Sequence, residues 1–269
     1  MINFYKYHGC GNSFVIVMHE EVKKYNQKNL AKYVCDEEDG IGADGCIIVK
    51  IHPLEMIVYS KEGTKVAICG NALRCFAKFV VDHTFVTTTT FDVKVDTTIV
   101  SVSYSQGFSE VNMGTPIFDK QLLHIDEELN IEDFKLHGFS ISALFIGSIQ
   151  SVVFVDSLND MDVAIVGIAI SNDKIFKEKT NVNFVEIIDR NNIHVIPYHR
   201  ENKLSNVYDY GCCASFVYAY KKGFINEEVN AHLEFGSLHL RYQDNKIMIK
   251  GAATIIAEGK IDMKEVKLC

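Results

Sequence analysis

The chain has 269 residues, of which 48% are hydrophobic and 23% charged, and its formal net charge is −8. That length and composition describe one or two globular domains able to bury a core without staples. The acidic balance, without a basic stripe, excludes a nucleic-acid partner. No apolar run is long enough to cross a bilayer, so no membrane association is expected. The opening residues, Met1 to Lys6, lack the apolar region of a signal peptide, so a cytoplasmic setting is expected. Eight cysteines are present. In that setting they read as reduced thiols, and their spacing forms no Cys-x-x-Cys pair, so no metal centre is expected.

In chain order, Ile2 to Tyr7 alternates as a strand. It is followed by a His8-Gly9-Cys10-Gly11-Asn12 turn and a second strand over Phe14 to Met18. Asn26 to Cys35 has helical spacing. The glycine-rich loop Asp39 to Gly45 leads into a buried-type strand, Cys46 to Ile51, and Met56 to Tyr59 is a further strand. Cys69-Gly70-Asn71 opens a mostly apolar helix over Ala72 to Val81, and Phe85 to Thr115 is rich in strand formers. The second part repeats this pattern. Strands are expected over 139–143, 151–156, 182–189 and 193–198, with a helix over Met161 to Ile170 read as core. A helix over Cys212 to Lys222 ends at Gly223. Two strands flank Gln243-Asp244-Asn245, and a last strand covers Ala252 to Gly259. Gly114-Thr115-Pro116 is the expected boundary. It gives one lobe of 1–115, completed by the tail 258–269, and a second lobe of 116–257.

Cys69 stands at the mouth of a helix. Partial positive charge and unpaired backbone N–H groups there stabilise a thiolate, and the same N–H groups can grip a carboxylate. Gly70 permits close approach of a ligand to the backbone, and Asn71 can cap the helix or bond a substrate. On local pattern alone, a buried structural cysteine is an equally good reading.

Several segments resemble the diaminopimelate epimerases. They are Tyr7 to Phe14, Gly40-Ile41-Gly42-Ala43-Asp44-Gly45, Cys69-Gly70-Asn71-x-x-Arg74-Cys75, Thr180 to Phe184, Gly236-Ser237-Leu238, and Lys250 to Ala253 with Glu258-Gly259. Their number and order make the resemblance specific. It implies an α+β fold of two similar lobes, each a strand-wrapped, barrel-like sheet around a central helix. It implies inversion of an amino-acid α-carbon without a cofactor, one cysteine acting as thiolate base and another as thiol acid. Cys69 matches the first of these. Asn12, Gly70, Asn71, Asn181 and Arg200 match substrate-side positions, and a homodimer is a further expectation.

The second catalytic segment departs from the family. An ungapped comparison puts Tyr208 where the family has its second cysteine, and a local shift would instead bring in Cys212, four residues on. Two-base chemistry calls for two comparable groups, which favours Cys212. A phenol at position 208 is a poorer base and implies altered isomerisation or binding without turnover. Ser60 and Ser148 replace asparagines, Gln150 replaces a histidine, and His199 replaces the glutamate before Arg200. These changes weaken the match to diaminopimelate and admit a racemase of another amino acid, such as histidine.

Overall fold

A computed structural model describes residues 1–66, 69–126, 128–159, 161–201, 203–204 and 209–264. The chain divides into two compact units, Met1–Asn112 with Lys250–Cys269, and Met113–Ile249. The divisions expected from sequence are 115/116 and 257/258.

The first unit runs β1 (Ile2–Gly9), β2 (Asn12–Met18), α1 (His19–Val22), α2 (Gln27–Cys35), β3 (Gly45–Lys50), β4 (Glu55–Ser60), β5 (Lys65–Val66), α3 (Gly70–Asp82), β6 (Thr90–Val95), β7 (Thr98–Ser105) and β8 (Phe108–Asn112). The second runs β9 (Phe134–Leu136), β10 (Phe139–Ile146), β11 (Ser148–Val155), α4 (Val163–Ser171), β12 (Asn181–Asp189), β13 (Asn192–His199), β14 (Lys203–Leu204), α5 (Asp209–Lys221), β15 (Glu228–Leu233) and β16 (Gly236–Gln243). β17 (Lys246–Ala252) carries the chain back to the first unit, where β18 (Thr254–Ile261) ends it.

The two units share one strand plan. In the first, β1–β2 is antiparallel, β2–β3 parallel, β3–β4 antiparallel, β4–β6 parallel and β6–β7 antiparallel, with β5 on the end of β4. In the second, β10–β11, β11–β12, β12–β13, β13–β15 and β15–β16 repeat that sequence of orientations, with β14 on the end of β13. β18 adds to the free side of β1, and β8 pairs with β7.

In each unit the sheet wraps one helix. α3 packs on β1, β2, β3, β4, β7 and β8, and α5 on β10, β11, β12, β13, β15 and β16. This is the α+β architecture the resemblance implies. The continuous apolar runs of β2 and β3 follow from burial on both faces. Val15, Val17, Cys46 and Ile48 join Leu30, Ala31 and Val34 of α2 in one cluster, and strand alternation turns Ile16 and Ile47 to the α3 side. In the second unit Val153, Val182 and Phe184 join Val163 and Ile170 of α4. The alternate positions Val152 and Asn183 therefore face α5.

The helix over Cys212 to Lys222 begins earlier than the sequence spacing suggests, at Asp209. Gly223, at φ +73, closes it: its N–H donates to the Tyr220 carbonyl and that of Phe224 to the Ala219 carbonyl, as in a Schellman cap. α4 is only partly core, since Ile165 and Ile168 point outward while Gly167 lies under the Tyr198 ring. Among the described residues no helix is long and apolar enough to cross a membrane, and no cluster of three His, Cys, Asp or Glu side chains could hold a metal.

Candidate active site

The first unit gathers its candidates at one end of the sheet. Asn12 opens β2 and is buried. The start of β2 lies beside the start of β3 (Phe14↔Gly45), which lies beside the end of β4 (Gly45↔Ser60). Asp44 ties these strand ends together, its carboxylate accepting from the N–H and hydroxyl of Ser13 at 2.8 and 3.0 Å. Half-exposed Ser60 begins a tight turn, its carbonyl accepting from the Gly63 N–H at 2.8 Å.

α3 starts at the same place. A Cβ added to Gly9 would stand 3.3 Å from Asn71 Oδ1 and 3.7 Å from Arg74 Nε, so the β1–β2 turn rests directly on the first turn of the helix. Asn71 and Arg74 are fully buried, and the Arg74 guanidinium donates to Asn71 Oδ1. Cys69 is the N-cap, extended at φ −132 and ψ 118, with no side-chain capping bond. At α2, by contrast, Asn26 accepts from the Asn29 N–H, and at α4 Asp162 accepts from that of Ile165. The cap position of α3 is thus given to a residue that caps poorly. Cys69 is also the one described cysteine that is not buried. Burial pushes the Cys35 thiol up to about 12 and that of Cys46 well above its ordinary value, which makes both unreactive.

The second unit assembles its candidates at the equivalent end. Ser148 opens β11, Asn181 opens β12 beside Gln150, His199 ends β13 and Arg200 follows it. The Arg200 N–H donates to Asn181 Oδ1 at 3.0 Å, and Asn181 Nδ2 donates to Ser148 Oγ at 3.1 Å. His199 Nδ1 accepts from the Glu201 N–H at 3.3 Å. A pocket of about 80 Å³ is lined by Ser148, Gln150, Asn181, Asn183, His199 and the helix start Tyr210-Gly211, among others. The Tyr210 ring covers Gly147, where any Cβ would meet it at 2.3 Å, and a Cβ on Gly211 would meet Asn183 Oδ1 at 2.1 Å.

Cys212 and Cys213 are fully buried in the first two turns of α5. Tyr208 lies outside the described residues. Sequence reasoning did not single out Asn183 or Tyr210. Asn183 was findable, since it sits two residues after Asn181 on one strand face.

A structure of a PhzF-family phenazine biosynthesis protein from Enterococcus faecalis matches with a TM-score of 0.70, covering 96% of this chain and 98% of that one at 12% identity. The fold is therefore of the class shared by epimerases, proline racemases and PhzF proteins. The sequence profile of diaminopimelate epimerase matches residues 4–118. A diaminopimelate epimerase from Halothermothrix orenii is 30% identical over 98% of this chain and 99% of its own length, and one from Rickettsia prowazekii is 32% identical over 96% and 97%. The chain belongs to the diaminopimelate epimerase family, a family of isomerases.

Proposed function

We propose that the protein inverts the α-carbon of an amino acid without a cofactor, with Cys69 moving the α-proton. The single observation that carries this reading is an accessible cysteine at the N-cap of α3, the only described cysteine so exposed, in a chain of this family. The N–H groups of Gly70 and Asn71, together with the helix dipole, would hold the substrate carboxylate beside the thiolate. Holding it there drains charge from the carbanion as the α-proton leaves. Asn12 and Ser60, gathered at the same strand ends, would position the rest of the substrate. A reducing, cytoplasmic setting suits this thiol chemistry.

A second proton carrier is needed on the opposite face of the α-carbon. An ungapped comparison puts Tyr208 where the family has its second cysteine, the counterpart of Cys69. Cys212, the alternative carrier, is sealed three residues inside α5. The reading therefore gives the second role to Tyr208 and packing to Cys212.

The relatives' substrate, diaminopimelate, is one candidate. Ser148, Gln150 and His199, standing where the family has asparagine, histidine and glutamate, favour a racemase of another amino acid. The test is a polarimetric screen of single enantiomers that includes diaminopimelate and histidine. Loss of optical rotation for one of them is expected, and a flat trace for every amino acid would overturn the reading.

A further inference from the structure

A second cleft, of about 520 Å³, lies within the second unit, and its lining shares no residue with the pocket beside Asn181. Its volume is in the range of small-molecule sites. Tyr220 reaches it from the end of α5, Tyr242 from the end of β16, and Phe118 from the segment that opens the unit. Asp244 and Asn245, both at positive φ, form the two-residue turn between β16 and β17, and Glu227 precedes β15.

The rings are held in place by packing. Phe216 and Tyr220 are stacked one helical turn apart on α5, and the Tyr242 ring rests on both, with centroids 4.9 and 5.4 Å away. Tyr220 and Phe118 still keep 40% and 41% of their surface exposed. The cleft therefore has preformed aromatic walls that a ligand can cover without first ordering them.

Charge narrows what that ligand is. Lys221 and Lys222, the cations at the end of α5, are taken up by Glu132 and Asp133. Glu227 and Asp244 are exposed and pair with no Lys, Arg or His among the described residues. No basic side chain lines the cleft, so an anion finds no partner in it. A bare metal ion finds two carboxylates and no further charged ligand, well short of the oxygen shell it needs. An organic cation suits both features. Its alkyl groups cover ring surface, the ring quadrupoles attract its charge, and the two carboxylates balance that charge at the rim. The protein already uses one such contact, with the Lys221 ammonium 5.0 Å from the centroid of the Phe118 ring.

We propose that this cleft binds a small organic ammonium, a quaternary or alkylated amine, at a site separate from the pocket beside Asn181.

The test is saturation-transfer NMR on the full-length protein at fixed ionic strength, with choline as the probe. Its neutral control is 3,3-dimethylbutan-1-ol, in which carbon replaces the nitrogen. Choline should bind with a Kd of about 1 mM or tighter, and the alcohol at least about tenfold more weakly. Tyr220→Leu should weaken choline about threefold to tenfold, and Tyr220→Phe, which keeps the ring, should restore it. The double variant Glu227→Gln, Asp244→Asn should weaken choline at least about threefold and leave the alcohol unchanged. All three substituted side chains are exposed, so the variants should melt with the parent protein. Equal binding of the alcohol would make the cleft a plain apolar groove and overturn the proposal. A choline Kd unchanged by Tyr220→Leu or by the double variant would place the ligand elsewhere and overturn it as well, as would the absence of saturable binding.

Discussion

The starts of α3 and α5 occupy the same place in a repeated plan, yet they are built differently. At α3, a half-exposed cysteine caps the helix and is followed by Gly70 and a buried Asn71 bonded to Arg74. At α5, the first turn is Asp209-Tyr210-Gly211-Cys212, in which Asp209, Gly211 and Cys212 are buried and the Tyr210 ring lies against Gly147. One helix start presents an accessible thiol, and the other buries its thiol beside a polar-lined pocket. The lesson is that a duplicated frame fixes where a site lies and leaves what each half does to a few residues.

The sharpest way to break the comparison is to mutate both starts. Cys69→Ala should lower the inversion rate by roughly three orders of magnitude, as loss of an acid/base group does. Tyr208→Phe should stop inversion while leaving α-proton exchange with retention for the enantiomer whose proton faces Cys69. Cys212→Ala should keep both reactions within a few-fold. Polarimetry and NMR exchange on the three variants decide the matter, and loss of inversion in Cys212→Ala alone would reassign the second role to that thiol.

A smaller effect is expected from Gly211→Ala. Its methyl would collide with an Asn183 amide held by two hydrogen bonds of 3.0 Å, so the variant should lose about 2–3 kcal/mol of stability in denaturant melts. An unchanged midpoint would show that the pocket wall yields.

The smallest expected effect lies at the far ends of the strands, where the units also differ. In the first, Glu55 is held between Lys50 at 3.0 Å and Lys94 at 3.3 Å. In the second, Asn192 stands there instead, its Oδ1 accepting from His232 Nε2 at 2.9 Å and its Nδ2 donating to Asp189 at 2.9 Å. Burial alone would raise the Glu55 pKa, but the two lysines outweigh it and leave it below its ordinary 4.5. The unfolded chain therefore binds this proton more readily than the folded one. The contribution is complete above the ordinary glutamate range and is lost as pH falls through the folded value. Glu55→Gln should cost about 1 kcal/mol near neutrality, discounted for the partly exposed lysines, and nothing at low pH. A difference that persists in acid would contradict the ion-pair account.

Much of this was legible in the residues. The buried runs Phe14 to Val17 and Cys46 to Val49 announced two-sided strands, and Cys69-Gly70-Asn71 before an apolar run announced a helix start. β15 was missed although Val229, Ala231 and Leu233 alternate with Glu228, Asn230 and His232, because Glu and Asn are poor strand formers. The outward Ile165 and Ile168 were hidden because an apolar helix without a polar stripe does not reveal which face is covered. The hydrogen-bond pattern of the second-unit pocket was beyond the sequence, since it depends on which way four amide and hydroxyl groups turn.

The central claim, a reactive thiol at Cys69, is tested most directly by alkylation with iodoacetamide, mapping modified cysteines by mass against remaining activity. The account predicts that activity falls in step with carboxamidomethylation of Cys69 and that substrate slows both. Complete modification of Cys69 with activity intact would contradict it.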